Sequence, residues 1–480
     1  MMQKKDMSGI NRLKAQVRVE VIRKLECYQP TTTYDDGEVT VLKGHDGLGF
    51  GTKRSSSLFN DFSYHYPMVL DPDGSLWSQA NRYLLSRVSQ VTPPSHRTLE
   101  SIANDLACFR RWMLDEEVDF LTIPKRMRAR PTYRYCAYLH DLVRFQTIRP
   151  NTAKRRMSTV QNFYRWLELD GVEFPYALWI ESDSHLSFKD SRGLQYRKQV
   201  KSTDLTRSFR AKRQSSDYDE YLEDGGKLRP LPKDQQIALV EALQCIGNTE
   251  MTLAFLLALT TGARLQTVFT FREQQISDIP RDGTTAKRIK VGYGTSVNTK
   301  YGKQMVLLVP IWLYNQLQIY SRSPRRMGRI ARSPHAYPKS EDQYLFLTRA
   351  GKPYYMATND PFEFLYRTPP RGNAVTQFIH QQLLPELNQQ GHDFIIRFHD
   401  LRASFGMNLV ESLLESFKLK DAPDERQPEF FQALMYVRER MGHNSLTTTE
   451  GYLNYRKKFK VASHIQNEFE AFLKTLISGE

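Results

Sequence analysis

Met441-Gly-His-Asn-Ser-Leu-Thr-Thr-Thr-Glu-Gly-Tyr452 is the stretch on which the reading of this chain turns. It sets His443 behind a glycine and, after a short polar run, Tyr452. Taken singly, Gly442-His443 reads as a helix end with a surface histidine, and Tyr452 as a packed tyrosine with Tyr455 close by. Two other short segments change that. Thr261-Gly-Ala-Arg264 follows a nearly continuous apolar run, Met251 to Thr260, and reads alone as a helix end. His399-Asp-Leu-Arg402 puts a histidine and an arginine on one helical face.

Two arginines, two histidines and a tyrosine are the groups that attack a phosphodiester without a metal. The phenol supplies the nucleophile and the guanidinium groups bind the phosphate oxygens. The rest of the chain is therefore read as a device for bringing a phosphodiester to Tyr452.

Outward from these motifs, Leu228-Arg-Pro-Leu-Pro-Lys-Asp-Gln-Gln opens a domain, with Pro232 near a helix start and Ile237, Leu239/Val240 and Leu243 as its buried face. Ile289-Lys-Val and Gln304-Met-Val-Leu-Leu-Val predict two strands around the polar turn from Asn298 to Lys303. Ser321 to Glu341, rich in Arg, Pro and Ser, reads as an exposed insertion. Tyr344 to Pro353 predicts a short strand with a glycine turn. Helices are expected from Asn373 to Leu387, from His399 to about Phe417, and from Glu429 to Met441. Val461, Ile465, Phe469, Phe472/Leu473 and Leu476 mark a last amphipathic helix, which needs a groove of its own or of a neighbour.

Upstream, from about Leu76 to Ser187, the apolar spacing is also helical. Leu99, Ile102, Leu106, Phe109 and Trp112/Met113 mark one face, with Thr98 as cap. Pro131 to Phe145 turns Tyr135, Leu139 and Leu142 inward. Asn151 to Leu169 does so with Met157, Val160, Phe163/Tyr164 and Leu167. These aromatic stripes are read as core. Lys125, Arg126, Arg128, Arg130, Arg134, Arg144, Arg149, Lys154, Arg155, Arg156 and Arg165 crowd the other faces with few acids between them. Such one-signed excess over successive helices fits phosphate contacts better than a merely solvated surface. Residues from about Lys189 to Gly226 read as an interdomain linker. Near the N-terminus, Gln16 to Ile22 alternates like a strand or starts a helix, and Gly44 to Gly51 reads as a loop. The domain boundaries expected are 1–70 for an accessory arm, 71–187 for a helical DNA-binding domain, 188–227 for the linker and 228–480 for the catalytic domain.

The 480 residues carry a formal net charge of +15 and a pI of about 9.4, a surplus that favours a polyanionic partner. Cys27, Cys108, Cys136 and Cys245 follow no metal or paired spacing, which predicts buried, reduced thiols and an intracellular chain. No run approaches the length of a membrane span, so the chain is expected to be soluble and cytoplasmic.

Together, in this order, the polar motifs resemble the tyrosine recombinase (phage integrase) family. Its pattern is the arginine of T-G-x-R, a lysine on a β-hairpin, H-x-x-R, then G-H followed by a nucleophilic tyrosine. The resemblance covers about 228 to 465 and, more loosely, the helical module before it, which is similar to the family's core-binding domain. It implies a mainly α, mixed α/β catalytic domain behind a helical one, the two clamping duplex DNA. It implies that Arg264 and Arg402 bind the scissile phosphate, that His399 and His443 hydrogen-bond it, and that Tyr452 attacks to give a 3′-phosphotyrosyl bond and a free 5′-hydroxyl. A hairpin lysine protonates the 5′-oxygen; Lys300 is preferred for its place ahead of Gly302, with Lys303 second. No metal, ATP or other cofactor is implied. Four protomers would assemble on two DNA sites, exchanging C-terminal helices, with accessory recombination proteins as further partners and no membrane. Integration, excision or transposition of a mobile element would be the outcome. The alternatives are a DNA-binding regulator or architectural protein on the same fold and a type IB topoisomerase-like or telomere-resolving enzyme. Two departures stand out: Thr267 occupies the position where the family carries an acid, and Lys418 to Pro428 lengthens the segment between Arg402 and His443.

Overall fold

The computed structural model describes residues 16–26, 28–30, 40–43, 49–54, 62–90, 93–189, 195–207, 209, 221–224, 226–278, 280, 283–335, 337–358, 360–416, 428–443 and 448–455. They fall into two compact units. The first is Met1–Arg213 with Phe364–Arg367; the second is Gln214–Glu363 with Thr368–Glu480. The architecture is mainly helical with small antiparallel sheets.

In the first unit the alternating stretch near the N-terminus is strand β1, Arg18–Glu26. Val17 and Val19 turn inward while Arg18 and Glu20 face solvent, a period of two. β2 (Tyr28–Pro30), β3 (Thr40–Lys43) and β4 (Gly49–Arg54) form a sheet in the order β2-β4-β3. Gly49 to Gly51, expected in a loop, thus lie in a strand, because they pair with Val41 to Lys43. β5 (Phe62–Leu70) runs antiparallel to β1, from Arg18 opposite Leu70 to Glu26 opposite Phe62.

Four helices follow: α1 (Ser78–Val88), α2 (His96–Asp115), α3 (Pro131–Arg144) and α4 (Pro150–Leu169). The aromatic stripes are core. Phe109, Tyr135, Phe163 and Tyr164 are fully buried, with the Phe109 and Tyr135 rings edge to face at 4.8 Å. The cap of α2 is Ser95 rather than Thr98: the Ser95 hydroxyl accepts from the Thr98 backbone N–H at 3.3 Å, just after Pro93-Pro94 end any earlier helix.

The basic residues of these helices divide into two groups. Arg130 is buried and donates to the carbonyls of Pro124, Lys125 and Ala177, while Arg155 pairs with Asp105. Lys125, Arg126, Arg128, Arg144, Arg149 and Lys154 stay exposed. The segment expected as a linker from 188 carries instead a hairpin of β6 (Glu181–Lys189) and β7 (Gln195–Thr203), followed by α5 (Asp204–Arg207).

The second unit opens with two strands of two residues, β8 (Leu222–Glu223) and β9 (Lys227–Leu228). α6 (Lys233–Ile246) buries Ala238, Leu239, Ala242 and Leu243; Ile237, expected inside, is 59% exposed because it falls one position off that face. α7 (Thr249–Thr261) is the centre of the core, with Met251, Ala254, Phe255, Leu257 and Ala258 buried. It leads into α8 (Leu265–Phe269). The hairpin of β10 (Ala286–Val291) and β11 (Met305–Pro310) packs on α7, and α9 (Ile311–Ser321) covers it.

The Arg-rich stretch after Ser321 is mostly exposed, as expected, but two of its arginines are buried. It forms α10 (Pro324–Ile330), with Arg326 fully buried on the carbonyls of Ser321, Tyr344 and Leu345 and on Glu273. Arg325 and Arg329 reach Glu250 on α7, whose carboxylate is buried and requires them. Tyr344 to Pro353 makes only isolated bridges, Arg272 to Tyr344 and Leu347 to Pro353, around a turn at Gly351. α11 (Asn373–Phe378) and α12 (Leu384–Gln389) are joined through a wider π-turn just before Pro385, which lacks the N–H a regular turn needs. α13 (Asp400–Ser416) and α14 (Pro428–Met441) complete the unit, with residues 448–455 helical. The C-terminal helix expected over Val461 to Leu476 and most of the insertion expected at Lys418 to Pro428 lie outside the described residues. Cys136 is buried, but Cys245 is exposed on α6; Cys27 is not among the described residues. No described helix is long and apolar enough to cross a membrane.

Candidate active site

Three chain reversals carry the polar motifs of the second unit. α7 stops at Gly262, whose φ of 68° is left-handed, and a Cβ there would also overlap the Phe405 ring. Thr261 satisfies the helix end, donating to Leu257 O at 2.5 Å and accepting from Ala263 N at 3.3 Å. The chain then runs extended through Arg264 into α8. α14 ends in a similar way at Gly442, with φ 62°. The Gly442 N–H bonds Glu439 O at 3.0 Å and the His443 N–H bonds Arg438 O at 3.0 Å. This closed turn sends His443 away from the helix axis. At the start of α13 the Asp400 carboxylate accepts from Arg397 N at 2.9 Å and from Arg229 N at 3.0 Å, which fixes Arg402 in the first turn.

One guanidinium ties the three reversals together. Arg402, almost fully buried, donates through Nη1 to Gly262 O at 2.8 Å and through Nη2 to Met441 O at 2.5 Å. Its Nε donates to Asp224 Oδ2 at 2.7 Å. A planar fork with donors on three sides suits this junction, and a lysine could not replace it.

Asp224 is the centre of the cluster. Its Oδ2 also accepts from His443 Nε2 at 3.1 Å and from the Tyr452 hydroxyl at 3.3 Å, and its Oδ1 from Arg264 Nη2 at 3.4 Å. The Thr449 hydroxyl lies 3.0 Å from His443 Nδ1. With Nε2 facing a carboxylate, the imidazole carries its proton there and accepts from Thr449 at Nδ1. Tyr452 is fully buried, its ring 5.5 Å from that of His443 and against Gly406 of α13, where a Cβ would overlap the ring. Tyr455 is partly buried at the edge of the neighbouring apolar cluster.

These contacts set the protonation states. Burial alone would raise the Asp224 carboxyl, but the His443 hydrogen bond and the Arg402 charge outweigh it and hold the group well below the usual carboxylate range. Burial lowers His443 despite its bond to Asp224, so the contact is a hydrogen bond from neutral imidazole rather than an ion pair. His399, half-buried, is pushed down to about 4 by burial and then by the charges of Arg402 and Arg264. Burial, reinforced by the Asp224 charge, raises the Tyr452 phenol.

Of the residues expected from sequence, Arg264, Arg402, His443 and Tyr452 all meet at Asp224, and His399 lies within the field of the same arginines. The hairpin lysines part company. Tyr301 and Gly302, at φ 61° and 66°, turn the chain so that the Lys300 ammonium lies over the exposed Tyr301 ring. Lys303, near the first β11 pair, donates instead to Gly442 O at 2.9 Å. Its pKa is lowered by burial and by Arg438, Arg264 and Arg402. In this structure Lys303, rather than the preferred Lys300, is the one brought to the cluster. Thr267 is buried, its carbonyl accepting from the Thr270 hydroxyl. Asp224 and Thr449 escaped the sequence reading. The signal for Asp224 was there: Leu222 and Leu228 flank Glu-Asp-Gly-Gly, an apolar pair around a turn.

No protein-family model matches the chain, and no curated protein does either. Solved structures of tyrosine recombinases are similar to it. A XerH site-specific recombinase bound to palindromic difH substrate shares 12% identity, over 86% of this chain and 91% of that one, with a TM-score of 0.44. A lambda integrase dimer bound to a COC′ core site shares 15%, over 79% and 95%, at 0.42. The Tn1549 transposon integrase in complex with circular intermediate DNA shares 13%, over 78% and 94%, at 0.40.

Proposed function

We propose that this chain is a tyrosine recombinase that cuts and rejoins duplex DNA through a phosphotyrosyl bond at Tyr452, in the service of a mobile element. The observation that carries this reading is the convergence of Arg264, Arg402, His443 and Tyr452 on a single carboxylate. Two guanidinium groups and an imidazole N–H around one anion, with a phenol beside it, are the groups that attack on a phosphodiester calls for.

In the reaction the Tyr452 oxygen bonds to phosphorus and the bond to the 5′-oxygen breaks. His399, neutral down to about pH 4, accepts the phenolic proton. Arg264, Arg402 and the His443 Nε2–H hold the non-bridging oxygens as charge builds. The departing 5′-oxygen takes a proton from a hairpin lysine. Lys303 is already beside Gly442; Lys300 would act only if DNA draws the turn inward. One phosphodiester replaces another, so rejoining by a 5′-hydroxyl reverses every step and needs no external energy source. The exposed basic residues from Lys125 to Lys154 would hold the DNA backbone, with protomers assembling as a tetramer on two sites.

Wild-type protein, Tyr452→Phe and Tyr455→Phe are incubated with nicked duplexes from the ends of the native element and run on denaturing gels. An adduct lost only in Tyr452→Phe supports the reading. An adduct lost only in Tyr455→Phe moves the nucleophile. Tight DNA binding with no adduct in any version points to a regulator on this fold. A 5′-bridging phosphorothiolate, whose leaving group needs no proton, identifies the lysine: it restores cleavage in whichever of Lys300→Ala and Lys303→Ala has lost the general acid.

A further inference from the structure

Asp224 does more than neutralise two arginines. Its Oδ2 receives the Arg402 Nε, the His443 Nε2 and the Tyr452 hydroxyl, and its Oδ1 receives Arg264. Arg264, Arg402 and His443 are the donors that the proposed reaction directs at a phosphate, and they cannot serve both anions at once. The nucleophile itself is engaged, its proton directed at the carboxylate.

We propose that Asp224 is a tethered stand-in for the scissile phosphate: it occupies the anion site in the free protein, and cleavage begins when a DNA phosphate displaces it. This rests on the reading of Tyr452 as nucleophile and adds a regulatory step to it.

The segment that bears Asp224 is built to be exchanged. Among the described residues its hydrogen bonds to the rest of the chain are few: one pair of two-residue strands, β8 and β9, the Asp224 N–H to Gly226 O at 3.1 Å, and Arg397 Nη2 to Lys227 O at 2.6 Å. Leu222 and Leu228 seat it in the apolar cluster of Phe405, Met441 and Tyr452. On its C-terminal side the anchors are firmer: Asp400 captures Arg229 N, and the Ser404 hydroxyl captures Leu231 N at 2.9 Å. Asp224 can therefore swing out while residues 227–231 stay anchored beside α13.

The exchange replaces one anion by another, so the two arginines remain paired throughout. A tethered carboxylate competes at an effective concentration on the order of millimolar. Free phosphate at lower concentration loses to it, whereas DNA held through many other contacts wins. The device thus keeps Tyr452 engaged until a whole duplex is bound. Its buried phenol, raised by burial and by the Asp224 charge, adds to that restraint.

The test uses full-length wild type, Asp224→Asn and Leu222→Ser, the last loosening the seat without touching a charge. Calorimetric titration with inorganic phosphate at constant ionic strength should show Asp224→Asn binding at least roughly tenfold tighter than wild type, with Leu222→Ser in between. Single-turnover adduct formation on nicked duplex should be as fast as wild type or faster in Asp224→Asn. Unchanged phosphate affinity with slower cleavage would overturn the proposal and make Asp224 a fixed positioning acid, in place of the one absent at Thr267. Should Asp224→Asn fail to fold, hydrogen exchange of the wild type decides. Amides of residues 221–228 should lose protection when nicked duplex binds, and protection retained in the complex overturns the idea. If no version forms an adduct, the recombinase reading fails, while the phosphate titration still reports whether Asp224 fills an anion site.

Discussion

Glu250 and Asp224 are both buried acids of the second unit, and each gathers arginines. Glu250 sits in the first turn of α7, in the middle of the core, and accepts from Arg325, Arg329 and the Tyr320 hydroxyl. Asp224 sits on a turn between two-residue strands and accepts from Arg402, Arg264, His443 and Tyr452. The chemistry of the two clusters is alike; the mounting is not. An acid on a core helix cannot leave without unpacking α7, so its cluster is structural. An acid on a short turn can leave if another anion takes its donors, so its cluster can bind.

The largest contrast is expected in catalysis. Arg402→Ala should lower the rate of adduct formation on nicked duplex on the order of 10³-fold, since it removes a donor to the developing charge. Arg329→Ala should leave the rate per folded molecule nearly unchanged. Equal losses in a single-turnover assay would break the distinction between the clusters.

Stability should separate them next. Glu250→Gln leaves Arg329 buried against a neutral partner and should cost about 3–5 kcal/mol in denaturant unfolding, with no recovery on adding phosphate. Asp224→Asn should cost less, about 1.5–3 kcal/mol, and phosphate at constant ionic strength should restore most of it. Recovery by phosphate in both variants, or in neither, would erase the difference.

Acid should act through the Asp224 cluster. His399 is near 4 in the folded state and near 6.5 when unfolded, so the unfolded chain binds more protons between those values. Stability should therefore fall as the pH drops from about 6.5 towards 4, and His399→Asn should flatten that slope in thermal melts at a series of pH values. The smallest effect belongs to a solvent-exposed pair. Arg82, bonded to Asp170 at 2.9 Å, should tolerate replacement by alanine at a cost below about 1 kcal/mol. A larger loss on chemical unfolding would mean that surface arginines matter here more than their exposure implies.

The helical modules and the motif ends were legible because each is a local matter. Apolar spacing marks α2 to α4 and α7, and glycine marks the left-handed stops at Gly262 and Gly442. What misled was burial of charge. Arg326 and Arg329 read as exposed with the rest of their stretch because nothing local announces that Glu273 and Glu250, far off in sequence, await them. Asp224 read as linker for the same reason: its partners come from α7, α13, α14 and the 448–455 helix. Lys300 and Lys303 could not be told apart by spacing, because the choice depends on the left-handed Tyr301-Gly302 turn and on Gly442 across the site.

By itself, then, the sequence determined the elements, the order of the polar motifs and the chemistry they suit, since periodicity, glycine geometry and side-chain type are properties of short stretches. Only the tertiary structure decided which acid meets which arginine, which lysine reaches the site, and that a carboxylate occupies it. Electrostatic pairing in a buried site acts through space, between residues that the chain keeps far apart.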